Sequence, residues 1–482
     1  MTPLEIQLRD RTRRHFLRDC RIGLGSMAMA SLGGNLFGKP SLPESAKTRG
    51  PHRPPRARHV IYLHMAGSPS QLDLFDHKPE LIKHNGEKCP KEYIEGQQFA
   101  FIKGHPVLLG SPHKFAQHGQ GGAWVSELMP HLAGKVDELT IVKSLYTDQF
   151  NHAPAQLYLH TGSPRLGSAS LGSWCSYGLG SENENLPGFV VLVSGIKGPS
   201  AGKSVWGSGF LPGRHQGVQC RSKGEPVLFV NNPDGITRER QRRSLDALRD
   251  LNELQHQSIG DPETLTRIEQ YELAYRMQIS VPEVMDISRE SQKTIETYGA
   301  APGEASFANN CLLARRLVEQ GVRFVQLYDW GWDSHGGHKK EDLLHQLPKK
   351  CGQVDRPVAA LLNDLKQRGL LDETLVIWGG EFGRTCMRQA HKGKDLLGRD
   401  HHPHAFTMLM AGGGMKEGLV HGETDQFGYF IKEGKIPVQD LQATILHQLG
   451  LDPLKLSPRV QGLDQRLVGP AGDAVVRGEL LA

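Results

Sequence analysis

Beyond its first thirty residues this chain has no apolar run long enough to span a bilayer, so the mature protein is expected to carry no integral membrane segment. It has no C-x-x-C pair. Cys20 lies in the first thirty residues, and Cys89, Cys175, Cys220, Cys311, Cys351 and Cys386 are far apart, which excludes a zinc ribbon or thioredoxin-like motif. Disulfides are permitted by an oxidising compartment but not implied. No repeat of fixed period is visible. Charge of one sign is scarce too: the formal net charge is +5 over 482 residues and the basic residues are scattered, so nucleic acid is not an expected partner. A G-x-S-x-G elbow is missing, which weakens a serine hydrolase built on Ser68 or Ser70. The Gly412-Gly413-Gly414 run lacks a following G-K-[ST], which argues against a P-loop.

What is abundant is histidine, with 23 copies, many beside Asp, Gly and Pro in loop-like sequence. The chain also opens on an address. The segment Thr12-Arg13-Arg14-His15-Phe16-Leu17 is a twin-arginine stretch, followed by a short Gly- and Ala-rich apolar run and a small-x-small site at Ala28-Met29-Ala30. This predicts a signal over 1–30, a Pro- and Arg-rich linker over 31–57, and a periplasmic or extracellular location.

Apolar runs at His59–Met65, Leu139–Val142, Phe189–Val193, Val322–Tyr328, Thr374–Trp378 and Ala405–Met410 read as buried strands. Helical patterns lie between several of them. In Val354–Arg368, for example, Val358, Leu361, Leu362 and Leu365 share one face. The alternation predicts a three-layer α/β/α fold with a mostly parallel central sheet, its chemistry at the carboxyl ends of the strands. Residues from about 236 to 314, rich in Arg, Glu, Gln and Leu, read as a helical insertion beside the sheet that either roofs the site or is merely structural. The main domain is expected over 58–470, with a C-terminal tail at 471–482.

Three constellations could carry chemistry. Asp333, His335 and His338 fall within a six-residue Gly-containing loop after the strand ending near Tyr328, so oxygen and nitrogen lone pairs can converge on one divalent cation. A solvated loop histidine is the bland alternative. Glu381 sits where the strand 374–378 stops at Gly379-Gly380, facing either a ligand or Arg384. The stretch Arg399-Asp400-His401-His402-Pro403-His404 packs three histidines into four positions just before a strand, as part of a site or as a surface cluster.

These segments resemble known blocks. TLVIWGGEFGR, preceded by VDRPVAALLNDLKQRGLLDE, is similar to the alkaline phosphatase superfamily block in which a helix and strand deliver an acidic metal ligand. DSHGGH resembles the block where Asp and a nearby His bind the first metal, and His402 or His404 is similar to the late His that completes it. More closely, MAGSPSQLDLFDHKPEL, FNHAPAQLYLHTG, GSWCSYGLGSENENLPGFVVL, WDSHGGH, GGEFGRT, GRDHHPHAF, AGGG and DLQATILHQLGLD, with the twin-arginine start, resemble the exported proteins of domain-of-unknown-function family 1501 from about Arg58 to Val468.

The resemblance implies an alkaline phosphatase-like fold and a divalent metal (Zn, Ca or Mn) held by Asp333, His335, His338, His402 and His404, with Glu381 and Asp73 at a weaker second position. His152 stands where a sulfatase would have Cys or Ser, and Gln156 replaces an Arg, which disfavours a formylglycine mechanism. His152 is left as nucleophile, general acid/base or extra ligand, and Arg384 as a clamp for an anionic group. Phe382 follows Glu381 where a second-metal His or Asn belongs. The implied activity is hydrolysis of phosphate or sulfate esters, on a small-molecule or glycan substrate. The alternative is a non-catalytic descendant that binds metal or glycan.

Overall fold

The computed structural model describes residues 50–482 apart from 196, 228–231, 233, 234, 261, 390 and 392–394. The expected twin-arginine signal and most of the linker therefore lie outside the described residues. In chain order the elements that matter are β1 (His59–Ala66), β2 (Thr140–Tyr146), α1 (His152–Thr161), α2 (Leu171–Leu179), β3 (Phe189–Ser194), β4 (Val218–Cys220), α3 (Arg238–Ile259), α4 (Pro262–Met285) and α5 (Phe307–Glu319). They continue with β5 (Phe324–Trp330), α6 (Gln346–Gln367), β6 (Thr374–Gly379), β7 (Gly383–Arg388), β8 (Arg399–His402), β9 (Phe406–Ala411), β10 (Leu419–His421), β11 (Ile436–Pro437) and α7 (Val438–Gln448).

The main sheet runs β10-β2-β9-β6-β1-β5-β3-β4, with β11 also on β2. Every pairing in it is parallel except those of β9, which runs antiparallel to both β2 and β6. The central strands are apolar along their whole length because both faces are covered. Successive residues feed opposite cores: Ile61, Leu63, Val325, Leu327 and Val376 pack with residues of α5 and α6, whereas Val60, Tyr62, Phe324, Leu375 and Ile377 pack with α1, α2 and α7. This period-two sorting makes the three layers. On α6 the face bearing Val354, Val358, Leu361, Leu362 and Leu365 is buried, as its spacing predicts.

The polar segment does fold as helices, but it does not roof the site. No residue of α3 is buried, and Leu251 and Leu254 are each 63% exposed. The companion helix α4 is held at the last turn of α5, where Arg316 Nε donates to Val284 O at 2.6 Å. That turn leads into the amino end of β5, so α4 docks at the end of the sheet opposite the one where chemistry is expected. Among the described residues no helix is long and apolar enough to cross a membrane. The final residues are fixed: Leu480 is buried, and the Ala482 amide donates to Gly414 O at 3.0 Å.

Candidate metal centre

Three separated segments meet at the carboxyl edge of the sheet. His152 opens α1, Asp333 and His335 follow β5, and His401 lies on β8, with one potential ligand atom from each within 4.8 Å of the others. The strands stop in loops that must cross closely. At Gly67, just past β1, φ is +102°, and a Cβ there would stand 2.7 Å from the Asp333 amide nitrogen, so only glycine lets the Trp332-Asp333 backbone pass.

The three histidines share one orientation. Each turns Nδ1 outward to an acceptor: His152 to Glu381 Oε1 at 2.7 Å, His401 to Phe150 O at 2.7 Å, and His335 to Gln389 Oε1 at 2.6 Å. A carboxylate and a backbone carbonyl can only accept, which places the proton on Nδ1 of His152 and His401. Each Nε2 then faces Asp333, at 3.2 Å for His152, 2.8 Å for His335 and 3.6 Å for His401, while the Nε2 atoms of His335 and His401 stand 3.1 Å apart. Outer acceptors that fix the tautomer and aim the free nitrogen inward are the arrangement of metal-bound imidazoles. Three imidazoles and a carboxylate fit a nitrogen-preferring ion such as zinc and do not supply the oxygen shell that calcium takes.

Charge in the cage is balanced by the protein. Arg384, fully buried on β7, donates to Asp333 Oδ1 at 2.5 Å, to Ser68 O at 3.2 Å, to Arg399 O at 3.3 Å and to Gly67 O. Burial pushes the Asp333 carboxyl upward, but Arg384 and the three histidines outweigh it and hold the group far below the usual carboxylate range. Burial likewise opposes protonation of His152, yet its contacts with Asp333 and Glu381 raise it to about 9. Burial keeps His401 down at about 4, in the neutral form a ligand requires.

Glu381 stands behind His152 and not in the cage. It is fully buried, and Oε1 also accepts from the Gly67 amide at 3.1 Å and Gln156 Nε2 at 2.9 Å. Its Oε2 approaches His64 Nε2 at 3.2 Å without the alignment of a hydrogen bond. His64 in turn meets His160 at 3.2 Å, and His160 meets Gln326 at 2.9 Å. Beside the cage, the Phe101 ring stands nearly perpendicular to those of His335 and His401, with centroids at 4.8 and 5.5 Å. Asp400 Oδ2 holds this segment by accepting the Phe101 and Ile102 amides at 2.7 and 2.8 Å.

Several residues expected as ligands are elsewhere. His338 is exposed and paired with Glu341 at 3.3 Å. His402 lies on the opposite side of β8 from His401, because neighbouring strand residues point to opposite faces; its Nε2 donates to Tyr429 O at 2.7 Å, and its ring packs on Tyr429. His404 is half-buried against the same tyrosine. Asp73 is fully buried, bidentate with Arg399 at 2.8 and 3.1 Å and accepting from Ser70 Oγ at 2.5 Å, and it is not among the side chains that converge on Asp333. Arg384, expected to clamp a substrate anion, is consumed by Asp333 and three backbone carbonyls. Sequence reasoning did not single out His401 as the histidine of its cluster that joins Asp333, nor the His64–His160 pair, nor Phe101 beside His335 and His401.

A family model described as "Protein of unknown function (DUF1501)" matches residues 57–478. No curated protein matches the chain. Among solved structures, a sulfatase from Pseudoalteromonas sp. is similar at 13% identity and a TM-score of 0.36, covering 82% of this chain and 68% of its own. A protein in the alkaline phosphatase superfamily from Vibrio parahaemolyticus is 11% identical over 92% of this chain and 77% of its own, with a TM-score of 0.36. The alkaline phosphatase of the Antarctic bacterium TAB5 is 10% identical over 84% of this chain and 98% of its own, with a TM-score of 0.31. Likeness at this level says nothing of activity, which rests on the residues of the site.

Proposed function

We propose, from the premise that the chain belongs to the DUF1501 family of proteins of unknown function, that it is an exported metal-dependent hydrolase of phosphate or sulfate esters. The substrate is a small molecule or glycan bearing the anionic ester. One observation carries this reading: three imidazoles, each with Nδ1 occupied from outside, turn Nε2 toward a shared carboxylate at the rim of the sheet. His152, Asp333, His335 and His401 would hold one divalent ion, of the zinc class by their chemistry. Such an ion polarises an ester oxygen and makes water a nucleophile near neutral pH.

The protein's own groups divide the remaining work. Glu381 fixes the ring of His152, Arg384 keeps Asp333 ionised and oriented, and the start of α1 favours negative charge beside His152. Phe101 stands beside the imidazoles and limits water around them. A second reading, a metal- or glycan-binding protein without turnover, is favoured by one feature. Arg384 is sealed from solvent and spent on Asp333 and backbone carbonyls, so it offers no free cation at the opening to clamp an anionic group.

Elemental analysis of the purified full chain, paired with hydrolysis of aryl phosphate and aryl sulfate esters, separates these readings. About one ion per chain and turnover, both lost in His401→Ala, is the expected result. A bound ion with no turnover on either ester leaves the second reading, and a chain that takes up no ion overturns the hydrolase and the metal-binding protein alike.

A further inference from the structure

Behind the metal centre a line of buried polar side chains ends on Glu381. It begins on one face of α1, where His152, Gln156 and His160 recur every four residues and so lie above one another. His152 and Gln156 both meet Glu381 Oε1 directly. His160 reaches the same carboxylate from its other side, through His64 of β1. In the parallel pairing of β1 with β5, Tyr62 stands beside Gln326 and His64 beside Tyr328, so these four side chains share the sheet face that α1 covers. Gln326 Nε2 donates to Tyr328 Oη at 2.6 Å and lies 2.9 Å from His160 Nδ1. His160 Nε2 lies 3.2 Å from His64 Nδ1, and His64 Nε2 stands 3.2 Å from Glu381 Oε2, off the line of an ideal hydrogen bond. All of these groups are buried. Edge-on contacts of Tyr62 with His160 at 5.1 Å and of Tyr328 with His64 at 5.2 Å hold the two imidazoles in place.

The two ends of the line fix one direction. A carboxylate oxygen only accepts, so His64 turns an N–H toward Oε2 from Nε2, which leaves Nδ1 of the neutral ring to accept from His160 Nε2–H. At the far end the Gln326 amide nitrogen only donates, so His160 Nδ1 is bare and its proton lies on Nε2. Each end taken alone gives the same pair of tautomers. We propose that His64 and His160 are positioning residues for the metal centre, a one-way line of donors from Gln326 that sets the Glu381 carboxylate so that Oε1 stays on His152. Oε1 accepts from His152, Gln156 and the Gly67 amide, whereas among the described residues no hydrogen bond reaches Oε2 and His64 is the side chain set against it. Without His64, Oε2 would face an apolar layer with no donor. The carboxylate then turns, and His152 Nδ1–H loses the acceptor that aims Nε2 at Asp333. The role presupposes an ion held by His152, Asp333, His335 and His401.

Two measurements on the purified full chain test this. Neutron diffraction from crystals of the deuterated wild-type protein is expected to show a deuteron on Nε2 of both His64 and His160 and none on either Nδ1. A deuteron on Nδ1 of either ring overturns the line. Zinc titration by calorimetry is expected to give an affinity roughly 10-fold lower for His64→Leu, and the parent affinity for His64→Gln, whose amide can still donate to Oε2. His64→Leu binding as tightly as the parent, or His64→Gln binding as weakly as His64→Leu, overturns the positioning role, because a ring that merely filled space would be replaced no better by an amide than by leucine. A parent chain that takes up no zinc overturns the metal reading and the role with it. The tautomers are decided separately by the neutron map, which needs no variant that folds.

Discussion

The two ends of the central sheet are built on opposite principles. At the carboxyl end, Glu381, Arg384, Arg399 and Asp73 are withdrawn from water around the partly exposed Asp333, and each charge is met by another or by a carbonyl. At the amino end the polar insertion adds α3, a helix of 22 residues with none buried. Buried charge is costly unless every partner is in place, so the first region succeeds or fails as a unit. A solvated helix makes few demands, and its sequence can drift.

Three substitutions probe that contrast. The largest effect is expected from Asp73→Asn, which leaves Arg399 buried without its counter-charge and should cost about 3–5 kcal/mol in a urea titration. Metal content of the folded protein should not change, because Asp73 holds the scaffold and not the ion; a lost ion in a variant that still folds would refute that separation. Next is Glu381→Gln, which weakens the partner of His152 Nδ1–H and should lower metal affinity roughly 10–100-fold by isothermal titration. An unaltered affinity would mean that His152 is not a ligand. The smallest effect is expected at the other end: Leu251→Lys on α3 should stay within about 0.5 kcal/mol of the parent by the same urea measurement. A large loss there would show that the exposed leucines are covered by something.

The layered fold was legible because strands buried on both faces leave unbroken apolar runs, such as HVIYLHM and TLVIW, that no exposed segment would carry. Asp333, His335, His152 and Glu381 were legible for a related reason, since each falls where an apolar run gives way to Gly or where a helix begins. The choice among His401, His402 and His404 was not. Alternation along a strand shows that His401 and His402 must point apart, but only the partner strand, with His401 opposite Arg384 and His402 opposite Gly383, says which of them faces the site. His64 was hidden differently. Inside an apolar strand it reads as a core histidine, and only the fold brings His160 and Glu381 to it. Asp73 misled because an acidic residue near a site looks like a ligand until its arginine, 326 positions away, is known.

β9 runs against both its neighbours, so the chain needs no crossover helix between β6 and β9. Between them lie β7 and β8, Gly383–Arg388 and Arg399–His402, paired antiparallel as a two-stranded arm. Arg384 and His401 sit face to face across that arm, like two fingers of one hand. They cannot be parted without unzipping the arm itself, so the hold of Arg384 on Asp333 and the placing of His401 beside it are lost or kept together.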